Sequence, residues 1–245
     1  MTTATRDFRA LVLDIEGTTT PISFVYDTLF PYAASAFEDF LRSNHAQGNL
    51  SDAFEALARQ ARSDQEEGLD APSVDPSDVE TALANVRWQM ENDRKTTTLK
   101  DLQGKIWRDG YERGELKGEV FEDVPRLLEA ADKADIPVRI YSSGSVEAQK
   151  LLFGYSTAGD LTVYLSGYHD TTTGPKKVAS SYTEIASQMG MEPGGLLFAT
   201  DNLDEAIAAR EAGWQVVVMD RPGNHPLPEH DFEIMETFEG VIEAL

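Results

Sequence analysis

The sequence has 245 residues, enough for one or two domains with a full core. Its 41% hydrophobic and 26% charged residues are those of a packed globular protein and exclude disordered and membrane-spanning compositions. With 43 acidic against 21 basic side chains the formal charge is -22, which repels nucleic acid and anionic membranes, and the lack of cysteine removes disulfides and thiolate chemistry together.

Along the chain, the short apolar start is too brief for a signal segment or a membrane span, so a cytoplasmic protein is expected. Residues 9–15 form a compact apolar run that ends in Asp14 and is followed by Gly17, three threonines and Pro21. That pattern predicts a buried strand delivering a carboxylate into a loop. Helical periodicity then dominates, with helices expected over residues 24–41, 52–61, 79–90 and 99–111. After Gly118 strands and helices alternate: helix 123–134, strand 136–141, helix 146–153, a weak strand 161–165, helix 177–189, strand 196–200, helix 203–212 and strand 215–219. The expectation is an α/β protein with a doubly wound parallel sheet, built from residues 1–20 and 119–245, with an all-helical insert over 21–118.

Ligands of such sheets sit beyond the carboxyl ends of the strands, where every notable polar cluster falls. Asp14 and Glu16 stand two residues apart where the chain leaves its first strand, so one can attack while the other moves protons. Ser142 and Ser143 follow the second strand, and their hydroxyls and amides suit a phosphate; Ser145 can equally be a plain helix cap. Lys176 and Lys177 precede a helix, and a lysine entering the site would offset phosphoryl charge, although a surface lysine is the ordinary reading. Asp201 ends the strand 196–200 and suits oxygen-ligand Mg2+, with Glu205 as its partner on the next helix turn; Asp201 or Asn202 could instead cap that helix. The four histidines are scattered, which disfavours a zinc hydrolase.

The order strand-Asp-x-acid, strand-Ser, Lys at a helix start, strand-Asp-x-x-x-acid resembles the haloacid dehalogenase superfamily. Over nearly the whole chain the segments LDIEGTTTPISFVYDTLFPYA, WRDGYERGELKG, VRIYSSGSVEAQKLLFG, DTTTGPK, FATDNLDEAIAAREAGW and RPGN are similar to the enolase-phosphatase (acireductone synthase) family of methionine salvage. That resemblance implies Mg2+ held by Asp14, the backbone at Glu16 and Asp201. It also implies phosphate bound by Ser142 and Ser143, and Lys176 touching substrate and nucleophile. The implied reaction converts 2,3-diketo-5-methylthiopentyl-1-phosphate to an acireductone and phosphate, with Asp14 as nucleophile and Glu16 as acid and base. The helical insert becomes a cap, with Phe24, Trp107 and Tyr111 among its apolar side chains. A small phosphorylated diketone is the expected partner, with neither nucleic acid nor membrane, and a monomer is the working expectation. A true dehalogenase needs neither Mg2+ nor a second acid, and a phospho-accepting receiver carries its aspartate after a middle strand without such an insert.

Overall fold

The computed structural model describes residues 7–245. In chain order the elements are β1 (Ala10–Leu13), a π-helical turn (Phe24–Leu29), α1 (Phe30–Ala46), α2 (Ser51–Glu66), α3 (Val79–Glu91) and α4 (Thr97–Glu112). There follow α5 (Asp123–Lys133), β2 (Val138–Tyr141), α6 (Val146–Gly154), β3 (Leu165–His169), α7 (Ala179–Met189), β4 (Leu196–Thr200), α8 (Leu203–Glu211), β5 (Gln215–Met219), β6 (Glu233–Met235) and α9 (Glu239–Ile242). The chain divides into two compact units, one ending at Tyr26 and resuming over Lys117–Leu245, the other Asp27–Leu116. Phe24, expected in the helical insert, belongs to the first unit. No helix of the described residues is long and apolar enough to cross a membrane.

The first unit holds one six-stranded sheet in the order β3-β2-β1-β4-β5-β6, and all five pairings are parallel. The direction of winding reverses between β1 and β4, so the crevice at their carboxyl ends is the switch point where such sheets take ligands. The central strands β1 and β4 are buried on both faces, and for that reason they read as continuous apolar runs rather than alternating ones. Behind the crevice Tyr141, Tyr182, Phe198 and Trp214 pack as tilted and edge-on rings, with Tyr182 and Phe198 centroids 5.2 Å apart.

Two departures from the sequence expectation have local causes. The weak strand placed over 161–165 is instead a 3-10 turn at Thr162–Tyr164, and β3 begins at Leu165. Leu161, Val163 and Leu165 alternate as a strand would. Asp160, however, accepts bonds from the Thr162 amide (2.9 Å) and hydroxyl (2.5 Å), which turns the chain before it can extend. β6 and α9 went unrecognised: β6 has three residues, two of them exposed, and neither it nor the four-residue α9 is long enough to show a period.

The second unit is a helical core of Phe37, Leu41, Phe54, Leu57, Val86, Leu102 and their neighbours. Trp107 lines its rim and donates its indole N–H to Leu29 O at 2.9 Å, and Tyr111 is buried. Three of its polar side chains are linked in series: Thr96 Oγ1 donates to Gln89 (2.6 Å), Gln89 to Asn85 (2.7 Å) and Asn85 to Pro72 O (2.8 Å). Asp64, fully buried, meets Arg94 at 2.5 Å.

Candidate active site

Asp14 is the first residue beyond β1, and its amide continues the ladder by donating to Ala199 O at 3.0 Å. The chain then folds back on itself: the amides of Thr18, Thr19 and Thr20 converge on Ile15 O, and Gly17 N donates to Thr20 O at 2.8 Å. Gly17 has φ +66, and a Cβ there would lie 2.3 Å from Asp201 Oδ2, so only glycine lets the loop approach the end of β4 this closely.

Lys176 arrives from the turn before α7 and is buried. Its carbonyl accepts from Tyr182 at 2.7 Å, Pro175 O accepts from Ser181 at 2.8 Å, and Gly174 O accepts from Tyr141 at 2.9 Å, so three side chains of the core fix the turn. Lys176 Nζ lies 2.5 Å from Asp14 Oδ1 and 2.7 Å from Glu205 Oε2. Lys177, by contrast, is exposed and pairs with Asp204. Thr200 Oγ1, at the end of β4, is 3.1 Å from Asp14 Oδ2 and 2.9 Å from Glu205 Oε2, so one hydroxyl proton serves two carboxylates.

Asp201 follows Thr200, and Asn202 relieves it of capping duty by accepting from the Asp204 and Glu205 amides at 3.0 and 3.4 Å. Burial, then the charge of Asp14, pushes the Asp201 carboxyl up to about 7 despite Lys176. Burial and Asp14 likewise push Glu205 up to about 7 and raise Glu16, with Lys176 opposing in both cases. Burial alone would lower the Lys176 amine, but Asp14 and Glu205 outweigh it and hold the amine above its ordinary value.

Of the residues singled out from sequence, Asp14 and Lys176 are in direct contact, and Glu16 and Asp201 lie within electrostatic reach of both. Glu205 turns to Lys176 and Thr200, where the sequence suggested Asp201. Ser142 stands just past β2, buried, its amide donating to His169 O and its hydroxyl accepting from Gly144 N; Ser143 is exposed. Neither serine bonds to Asp14 or Lys176 among the described contacts. Ser145 does cap α6, accepting from Ala148 N at 3.2 Å.

A parallel sheet in this order, with an aspartate after β1 tied to a buried lysine and a second aspartate after β4, is the architecture of the haloacid dehalogenase-like hydrolases. The model of that family matches residues 8–213, and the chain belongs to it. The chain is 44% identical over 229 residues to enolase-phosphatase E1 of Synechococcus elongatus, covering 94% of this chain and 95% of that one. It is 46% identical over 242 residues to a probable bifunctional methylthioribulose-1-phosphate dehydratase/enolase-phosphatase E1 of Vitis vinifera, and spans about half of that longer protein, 95% of this chain against 47% of the other. Among solved structures, the UTR4 protein of Saccharomyces cerevisiae superposes with a TM-score of 0.78 at 34% identity, over 95% of this chain and 99% of that one. Within the hydrolase class the chain falls in the enolase-phosphatase E1 family.

The family implies a divalent cation, and the donor chemistry here fits one. Asp14 and Glu205 contact Lys176, Glu16 and Asp201 are coupled electrostatically to Asp14 and Lys176, and all these donors are hard oxygens, the ligands that Mg2+ takes. Among the described residues no three His, Cys, Asp or Glu side chains gather closely enough to hold a metal by themselves. A cation here would draw on a backbone oxygen and water as well, as Mg2+ commonly does.

Proposed function

We propose that this chain is a Mg2+-dependent enolase-phosphatase acting on 2,3-diketo-5-methylthiopentyl-1-phosphate, with Asp14 as the nucleophile. The observation that carries the reading is the buried contact of Lys176 with Asp14 at the switch point of the sheet. A surface ion pair would not be sunk into the aromatic core from three anchor points.

In this reading Asp14 attacks phosphorus in line and becomes an aspartyl-phosphate, which water then cleaves. Lys176 stabilises the phosphoryl oxygens, and Glu205 holds its amine in place from the other side. Ser142 and Ser143 grip the phosphate from the end of β2, and Asp14, the Glu16 carbonyl and Asp201 would hold Mg2+. The cation supplies Lewis-acid polarisation and charge neutralisation. Glu16, raised by burial and by Asp14, protonates the leaving alkoxide, then deprotonates the attacking water, and serves as acid and base in the enolisation.

The test is acid quenching during turnover followed by peptide mass analysis. The peptide bearing Asp14 should carry one added phosphoryl group, and Asp14→Asn should abolish both the adduct and phosphate release. Turnover persisting in Asp14→Asn would remove Asp14 from this role. Glu16→Gln should retain substrate binding while kcat falls by about 10²-fold or more, as loss of a general acid–base does; an undiminished kcat would refute that assignment.

A further inference from the structure

Three consecutive carbonyls of the loop after Asp14 are held from outside the loop. Asn224 Nδ2 donates to Gly17 O at 2.9 Å, Arg221 Nε donates to Thr18 O at 3.1 Å, and Phe121 N donates to Thr19 O at 3.0 Å. Arg221 and Asn224 are the two ends of a single turn. Pro222 and Gly223 occupy its centre, Gly223 has φ +92, and Asn224 N donates to Arg221 O at 3.0 Å, the residue pattern of a type II turn. This turn leaves β5, the strand next to β4.

Both side chains are over-determined. Arg221 is buried between the rings of Phe121 and Phe238, at 4.5 and 4.7 Å, and its Nη1 donates to Asp123 Oδ2 (2.8 Å) and Glu236 O (2.9 Å). Asn224 Nδ2 also donates to Met219 O at 3.2 Å, which fixes the orientation of its amide. Asn224 Oδ1 is therefore turned toward Gly17, where the Cβ position lies 2.8 Å from it and 2.3 Å from Asp201 Oδ2.

We propose that Arg221 and Asn224 are positioning residues for the reaction at Asp14: the turn after β5 clamps the Gly17 and Thr18 carbonyls and so sets the Asp14–Glu16 segment against Asp201. The Gly17–Thr20 amides bond only within the loop, to Thr20 O and Ile15 O, while Asp14 at its start is anchored to β4 through Ala199 O and Thr200 Oγ1. The clamp carries the anchoring on from Asp14 to the Gly17 and Thr18 carbonyls, from the β5 side of the crevice. Displacement of a reacting group by about 1 Å costs on the order of 10² in rate, so the clamp acts on kcat. Phosphate binding by Ser142 and Ser143 comes from β2, on the opposite side of β1, which the clamp does not touch.

The inference rests on the phosphohydrolase reading, and the experiment separates the two. Asn224→Asp keeps the side-chain volume and removes the donor; Asn224→Ala and Arg221→Lys accompany it in case one variant does not fold. Each folded variant is assayed for Mg2+-dependent phosphate release, and amide hydrogen exchange is followed at Gly17, Thr18, Thr19 and Thr20. The expected result is a kcat lower by roughly 10–100-fold with KM changed by less than about threefold, and faster exchange at those four amides. Unchanged kcat, or a rise in KM alone, in folded Asn224→Asp would overturn the clamp. If the wild-type protein releases no phosphate, it is the functional reading that fails. The clamp is then decided by the exchange rates, which support it if they rise and overturn it if they do not.

Discussion

Replacing Lys176 by methionine leaves Asp14 and Glu205 facing each other in a buried site with no cation between them. Loss of an electrostatic stabiliser of developing charge typically costs about 10²–10³ in kcat, and that fall is expected for Lys176→Met in a steady-state assay. Lys177→Met removes only an exposed pair with Asp204 and should leave kcat within about twofold, since exposed pairs contribute little. The distinction was partly legible: the position of Lys176 relative to Gly174 marked it by resemblance, whereas a lysine at a helix start is by itself a surface residue. Thr200, Arg221 and Asn224 fall in the family-like segments FATDNLDEAIAAREAGW and RPGN, but nothing in those segments gave them a role. Their roles arise from contacts with residues 186, 203 and 207 positions away, which no local period records.

Elements carry two further expectations. His169 ends β3, buried, with Arg139 Nη1 3.3 Å from its Nε2. Burial first, then the Arg139 charge, lowers its pKa to about 4. An unfolded histidine has a pKa near 6.5, so between those values the unfolded chain binds the extra proton. Stability from this group is therefore full above about pH 6.5 and is lost as pH falls toward 4. Urea melts should show His169→Gln losing less stability than wild type over that window, by about 2–3 kcal/mol; equal losses would assign the acid sensitivity to other groups. In the helical unit, Arg94→Met leaves the fully buried Asp64 without its cation and should cost about 3 kcal/mol in the same melts. The long helices and the buried strands β1 and β4 were readable because period and burial agree over many residues. β3 was misplaced by the Asp160 turn, and β6 was too short and exposed to read.

At the scale of the whole molecule, the reversal of winding between β1 and β4 brings Asp14 and Asp201 together from positions 187 residues apart, and the alternation of strands and helices foretold that arrangement. The formal charge of -22 makes the crevice an unwelcoming place for an anionic substrate except where Lys176, backbone amides and a cation offset it. Activity should therefore depend on Mg2+ throughout. The most direct measurement is anaerobic turnover of 2,3-diketo-5-methylthiopentyl-1-phosphate with and without Mg2+, following enol absorbance and free phosphate separately. Mg2+-dependent enol formation that precedes phosphate release is the expected result. Phosphate release from simple monoesters with no enol from the dione, or full turnover without Mg2+, would contradict the proposed function.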